Sequence, residues 1–328
     1  MSQALPPIFV TRQLPQPVMA RLAERFTVTC HSRGRPLKAW QLKRAVADQE
    51  GLVCTLADRV DREVIQAGPR LKIIANYAVG VNNIDLAAAA ERGIWVTNTP
   101  GVLTDATADL TWALLLGVAR RVYEGSRFLR MGRWTGWAPT LLLGSEVAGK
   151  TLGIVGMGRI GQAVARRGLG FSMRILYHQR HRLDPRVEKA LQARYVSLDT
   201  LLAESDFVSL HVPLTPETHH LIGLEQLRRM KPTAFLINTS RGAVVDERAL
   251  IWALRKGLIA GAGLDVFEEE PKVPKSLRQL KNALLLPHLG SATTETRIRM
   301  GFMVLENLVA VFEGRTPPNP VVAPGARK

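Results

Sequence analysis

Short apolar runs alternate with stretches of helical period from one end of the chain to the other. In the first third, strands are predicted at 8–11, 26–30, 51–56, 71–77 and 94–98, with helices at 18–26, 39–47, 62–68 and 84–93 between them. Strands that alternate with helices imply parallel β-α-β units and a doubly wound sheet. A longer helical pattern runs from Thr104 to about Met131, with Asp105 near its start and Leu110, Leu114, Leu115 and Val118 on one stripe. Residues 132–150 are less regular and hold Gly132, Trp134, Gly136, Trp137, Pro139 and Gly144. A second alternating series follows, with strands predicted at 152–156, 174–177, 207–212, 234–238, 261–266 and 284–287. A last helix is predicted over 293–312, stopped at Gly314 with Pro317 and Pro318 beyond. The expected fold class is α/β, with two doubly wound parallel-sheet domains and no long linker or repeat.

The 328 residues suffice for two domains with separate cores. With 46% apolar and 22% charged residues, the composition is globular rather than disordered. No apolar run approaches the roughly 20 residues that span a bilayer, so no membrane partner is expected. The start, Met1-Ser2-Gln3-Ala4-Leu5-Pro6-Pro7, lacks the basic and apolar regions of a secretory leader, and a cytoplasmic location is expected. Cys30 and Cys54 fall in predicted strands without metal-ligand spacing, which reads as two buried, reduced thiols and no metal site.

A net charge of +16 could attract nucleic acid or phosphorylated ligands. The charge is scattered, however, in short clusters such as Arg33-Gly34-Arg35 and Arg180-His181-Arg182, without interleaved aromatics. A solvated basic surface and no nucleic-acid partner are expected.

Gly156-Met157-Gly158-Arg159-Ile160-Gly161 follows a predicted strand and opens a helix. In that setting Gly156 permits the tight turn, Gly158 admits a pyrophosphate close to the backbone, and Gly161 lets helix and strand pack. The helix N-terminus adds free N–H groups and positive dipole. At the end of the next strand, where NAD-binding folds usually carry an acid for the ribose 2′-hydroxyl, the chain reads Tyr177-His178-Gln179-Arg180-His181-Arg182. A carboxylate there would repel a 2′-phosphate, whereas Arg180 and Arg182 would attract one. NADP(H) is therefore expected in preference to NAD(H), with solvent-facing arginines and use of either cofactor as the alternative.

Three later strands deliver reactive groups toward one edge: Arg241 after 234–238, Glu270 after 261–266 and His288 after 284–287. The carboxyl ends of parallel strands face the crevice where such sheets bind ligands. An Arg fork can hold a keto acid's carboxylate and polarise its carbonyl. A His beside a Glu can give the proton as hydride arrives at carbon.

Several segments resemble the D-specific 2-hydroxyacid dehydrogenases. They are Tyr77-Ala78-Val79-Gly80-Val81-Asn82-Asn83-Ile84-Asp85, Thr97-Asn98-Thr99-Pro100-Gly101-Val102-Leu103-Thr104-Asp105, the glycine loop, Asn238-Thr239-Ser240-Arg241-Gly242, Gly263-Leu264-Asp265-Val266-Phe267 and Pro287-His288-Leu289-Gly290-Ser291-Ala292-Thr293. Within that family the chain most resembles the glyoxylate and hydroxypyruvate reductases.

The resemblance implies a catalytic set of Arg241, Glu270 and His288, and a small 2-keto acid as substrate. It implies a flavodoxin-like substrate domain of residues 1–100 and 290–328, into which a Rossmann-type cofactor domain of residues 101–289 is inserted. It implies backbone at Val79 and Gly80 receiving the carboxylate, and a dimerisation arm over 102–149 that makes a homodimer. Trp137 matches a Trp that reaches a partner's pocket in the reductase subgroup, and Leu56 matches a pocket-lining apolar residue. The cofactor contacts implied fall on Gly156, Gly158, Arg159, Ile160, Gly161, Gln179, Arg180, His181, Val212, Pro213, Thr239, Ser240, Asp265, Gly290 and Thr107.

With the sequence ending at Lys328, the extension of the longer phosphoglycerate dehydrogenases is not expected, though a short phosphoglycerate or a D-lactate type stays open. A dinucleotide-sensing corepressor on the same fold is the alternative from another class; the intact trio speaks against it.

Overall fold

The computed structural model describes residues 4–32 and 34–324. The extreme N-terminus, Arg33 of the first basic cluster and the end at Lys328 lie outside them. The chain divides into two compact units. The first comprises the residues up to Leu103 and those from Ser291 onward, and the second is Thr104–Gly290. The crossings thus fall a few residues from the expected 101 and 290.

In the first unit, strands β1 (Pro7–Val10), β2 (Thr27–Cys30), β3 (Gly51–Cys54), β4 (Ile73–Asn76) and β5 (Trp95–Thr97) are parallel. The last strand of the chain, β13 (Pro320–Val322), adds antiparallel to β5. The sheet order is β13-β5-β4-β3-β1-β2, so the five parallel strands follow the flavodoxin-like 2-1-3-4-5 pattern. Successive side chains point to opposite faces, and each face has its own core. Leu52 and Ile74 pack with Leu42, Val46 and Ile65 on one side. Val53 and Ile73 pack with Val18, Leu22, Val304 and Leu308 on the other. Burial on both faces explains why β3 and β4 read as nearly continuous apolar runs, each fully buried Ile or Leu contributing roughly 1.5–3 kcal/mol, whereas the edge strand β2 has no buried residue.

In the second unit, β6 (Thr151–Val155), β7 (Arg174–His178), β8 (Ala193–Tyr195), β9 (Phe207–Leu210), β10 (Phe235–Asn238), β11 (Gly261–Leu264) and β12 (Ala283–Leu285) form one parallel sheet. Its order is β12-β11-β10-β9-β6-β7-β8, the Rossmann arrangement with a seventh strand, and the order reverses between β6 and β9. The register aligns the strand ends. Val155 pairs with His178 and Leu210, Leu210 with Asn238, Asn238 with Leu264, and Leu264 with Leu285. Every loop leaving these ends therefore starts at one level.

Three features depart from expectation. The single helix predicted from Thr104 to Met131 is two, Thr104–Ala119 and Val122–Arg130, separated by Arg121 in the left-handed region (φ 54°). The Ala119 carbonyl accepts the Ser145 N–H there, and burial changes with it: the first helix is largely buried, the second has no buried residue. β8 and β13 are three-residue strands, too short to show a period of two. Cys54 is buried, but Cys30 is only half-buried; both are free thiols.

Candidate active site

The glycine loop sits at the switch point of the second sheet. Gly156 follows β6 in the left-handed region (φ 96°), and its N–H donates to the His178 carbonyl at 2.9 Å. Gly158 caps the helix Arg159–Leu169. At Gly161 a Cβ would lie 2.2 Å from the Gly156 carbonyl oxygen, so helix and strand reach this spacing only without a side chain. A Cβ on Gly158 would meet nothing within 4 Å. Its bareness serves no packing; it leaves an open approach to the first-turn N–H groups, which fits a pyrophosphate. Arg159 is exposed and Ile160 half-buried.

His178, which the sequence puts nearest the usual acid's place, ends β7, and Gln179 follows it. Its Oε1 accepts the Met157 N–H at 3.0 Å and its Nε2 donates to the His181 carbonyl at 2.5 Å, so it braces the glycine loop from the next strand. Arg180 and His181 are exposed. Arg182 behaves differently from its expected role. It makes two 2.8 Å hydrogen bonds to buried Glu188, whose carboxylate also accepts from the Tyr177 hydroxyl at 2.5 Å. The paired guanidinium, followed by the Tyr177 hydroxyl, pulls Glu188 down to about 2, although its desolvation acts the other way. Arg182 is thus committed to the protein, leaving Arg180 as the arginine presented at this strand end. No carboxylate is presented directly after β7; Asp184 accepts the Arg186 N–H as a helix cap.

Arg241, Glu270 and His288 leave the ends of β10, β11 and β12. Asn238 shapes the first loop: its Nδ2 donates to the Arg241 carbonyl at 2.9 Å, and its Oδ1 accepts the Ser240 N–H and hydroxyl. Arg241 donates to the Ser240 carbonyl at 2.7 Å. Burial draws its guanidinium below the ordinary arginine value, with the Glu270 charge opposing. A Cβ on Gly242 would stand 1.9 Å from the Phe267 carbonyl carbon, so the Arg241 loop lies against the backbone of the Glu270 segment.

The Glu270 Oε1 accepts the Phe267 N–H at 3.0 Å and its Oε2 meets the His288 Nδ1 at 2.8 Å. The Glu270–Pro271 peptide bond is cis. Burial raises the Glu270 pKa, but the His288 hydrogen bond and charge, the Phe267 N–H and Arg241 outweigh it and bring the carboxyl below its ordinary value. His288 itself is left-handed (φ 55°), its N–H fixed to the Asp265 carbonyl at 2.9 Å. With Nδ1 engaged by Glu270, Nε2 is the ring nitrogen left to face a substrate.

Asp265, buried at 1% exposure, accepts the N–H groups of Leu289 and Gly290 at 2.7 and 2.8 Å. Desolvation pushes its carboxyl up to about 6, against these hydrogen bonds and the His288 charge. Thr107 donates to the Gly290 carbonyl at 3.1 Å, and Thr111 shares a 2.8 Å hydrogen bond with the Thr239 hydroxyl. Val212 and Pro213 follow β9, where a Cβ on Gly156 would touch His211 and Val212.

In the first unit, Val79 and Gly80 occupy the turn after β4. The Asn98 Nδ2 donates to the Val79 carbonyl at 2.8 Å and the Asn76 Nδ2 to the Gly80 carbonyl at 2.7 Å. Both carbonyls are turned inward, and neither amide N–H is hydrogen-bonded among the described residues. Leu56 is half-buried in the turn after β3. Trp137, in the second unit, is 84% exposed, and Leu129, Trp134 and Leu143 are exposed beside it in sequence. The sequence marks the bracing residues Asn76, Asn98 and Asn238 only as polar amides at the ends of apolar runs.

Comparison with known proteins agrees with this architecture. Residues 112–290 match the family described as D-isomer specific 2-hydroxyacid dehydrogenase, NAD binding domain. A glyoxylate reductase of Thermococcus litoralis is 53% identical over 318 residues, covering 96% of each chain. A crystal structure of a Thermus thermophilus protein superposes with a TM-score of 0.90 at 54% identity, covering 96% of this chain and 99% of that one. An NADPH-dependent glyoxylate/hydroxypyruvate reductase of Sinorhizobium meliloti, solved with NADP and malonate, gives 0.86 at 36% identity, covering 99% of each. The chain belongs to the D-isomer-specific 2-hydroxyacid dehydrogenases and is an NAD(P)-dependent oxidoreductase acting on a CH–OH group.

Proposed function

We propose that the chain reduces glyoxylate to glycolate and hydroxypyruvate to D-glycerate, using NADPH in preference to NADH. The observation that carries the reading is the 2.8 Å Glu270–His288 pair, with Arg241 interacting electrostatically with the same carboxylate. The names of the similar proteins, glyoxylate reductase in Thermococcus litoralis and glyoxylate/hydroxypyruvate reductase in Sinorhizobium meliloti, support it.

The reduced nicotinamide, when bound, supplies hydride to the carbonyl carbon. Arg241 holds the substrate carboxylate and draws electron density toward the carbonyl oxygen. In the first unit, the N–H groups of Val79 and Gly80 are a pair of donors suited to a carboxylate. His288 gives its Nε2 proton to the oxygen, completing addition of hydride and proton across the C=O bond, while Glu270 fixes the ring and stabilises the imidazolium that precedes transfer. The first-turn N–H groups left open at Gly158 would receive the pyrophosphate, with Gly156 and Gly161 setting the turn and the helix–strand spacing, and Arg180 would meet the 2′-phosphate.

The exposed apolar side chains on 122–143 favour a homodimer through this arm. Among the described residues no helix is long and apolar enough to cross a membrane.

Steady-state kinetics with glyoxylate, hydroxypyruvate and pyruvate, each with NADPH and NADH, test the assignment. The reading predicts the highest kcat/KM for glyoxylate or hydroxypyruvate with NADPH. A preference for pyruvate, or for NADH, would replace it with another D-2-hydroxyacid dehydrogenase activity.

A further inference from the structure

The loop after β9 and the segment after β11 bring together a second set of donors that the proposed reduction does not use. The His219 and His220 rings stack with centroids 4.0 Å apart. The His220 Nε2 lies 2.8 Å from the Glu268 Oε1. One donor atom from each of His219, His220 and Glu268 falls within 4.8 Å of the other two, the one such group of three among the described residues.

The backbone beneath these side chains is fixed. His220 is left-handed (φ 53°), and its N–H donates to the Ala243 carbonyl at 2.8 Å. The His219 N–H donates to the Thr215 carbonyl at 2.9 Å, and the Thr218 hydroxyl bonds the Pro213 carbonyl at 2.6 Å, closing the loop on itself. Opposite it, Glu268 exchanges backbone-to-carboxylate hydrogen bonds with Glu247 at 3.4 and 3.5 Å.

We propose that His219, His220 and Glu268 form a binding site for a divalent transition-metal ion of the zinc class, with water completing its shell. Two imidazoles and one carboxylate suit Zn²⁺, Co²⁺ or Ni²⁺, whereas Ca²⁺ and Mg²⁺ require oxygen donors. Ligand bonds of about 2.0–2.2 Å in tetrahedral array set donors roughly 3.3 Å apart. The His220–Glu268 pair must therefore open slightly while His219 moves in, and the exposed His219 ring and half-exposed Glu268 side chain have the freedom to do so while their backbones stay in place. The ion takes the place of the 2.8 Å His220–Glu268 hydrogen bond. It would join the β9 loop to the segment that carries Glu270 two residues later.

The test is Co²⁺ and Zn²⁺ titration of the untagged full chain after treatment with a chelator, followed by cobalt visible absorption and by calorimetry. One ion per chain is expected for the unsubstituted protein. His219→Ala and Glu268→Gln should each weaken binding roughly tenfold or more, while His31→Ala, in the other unit, binds like the parent. Absence of saturable binding by the unsubstituted protein overturns the proposal, as does equal affinity in the parent and both site variants. The readout is binding alone, so it stands apart from whichever keto acid is reduced.

Discussion

His288 holds a left-handed backbone conformation that costs a residue with a β-carbon on the order of 1 kcal/mol. Asp265 makes that conformation persist: its carbonyl takes the His288 N–H, and its carboxylate takes the next two. Glu270 then fixes the ring. The two acids should fail differently. Glu270→Gln keeps the size but loses the charge opposite Nδ1, so kcat should fall roughly 10–100-fold with KM and thermal midpoint nearly unchanged. The Asp265 carboxyl titrates at about 6 in the folded chain, above its ordinary 3.8. Between those values the folded state binds more protons than the unfolded one, so this group's contribution to stability falls as pH rises from about 4 to about 6 and then levels. Measured as the difference in unfolding midpoint between the parent and Asp265→Asn, the parent should lose ground across that window. A difference independent of pH would show that the buried carboxyl is not so raised.

At the level of elements, the aligned ends of β10, β11 and β12 convert sequence positions into a site. Arg241, Glu270 and His288 were legible because each follows an apolar run whose end could be placed to within a residue or two. The glycine loop was legible for the same reason, yet its glycines do different work. Gly161→Ala should lower the thermal midpoint, since its Cβ would press on the Gly156 carbonyl. Gly158→Ala should leave the midpoint unchanged and raise KM for NADPH at least tenfold, because its Cβ meets only the space left for the ligand. Arg180 and Arg182 looked equivalent as two cations in a cluster; only the fold brings Glu188 beneath Arg182 and removes it from consideration. Accordingly, Arg180→Asp should erase the preference for NADPH in kcat/KM. Arg182→Ala should act mainly on stability above pH 4.5, where the Glu188 carboxylate is charged even when unfolded, an effect that fades as pH falls toward 2. The break at Arg121, β8 and β13 were not legible: the first depends on a distant N–H from Ser145, and three-residue strands carry no period.

For the molecule as a whole, the alternating pattern foretold two α/β units, but their discontinuous boundaries followed from the family resemblance. Pattern alone would have cut the chain once. The net charge of +16 bears on ligand capture rather than fold. Raising ionic strength from about 0.05 to about 0.5 M should increase KM for NADPH more than KM for glyoxylate, since screening shortens the reach of surface cations. The exposed arm predicts a sedimentation mass of two chains, and Leu143→Glu should shift it to one.

In the proposed reduction His288 supplies the proton while taking no part in holding the cofactor. Glyoxylate-dependent NADPH oxidation by His288→Ala, with NADPH affinity measured by fluorescence on the same protein, separates the two roles. A fall in kcat of roughly 10²–10⁴-fold with affinity within about twofold of the parent is predicted. Near-normal turnover of glyoxylate by that variant would contradict it.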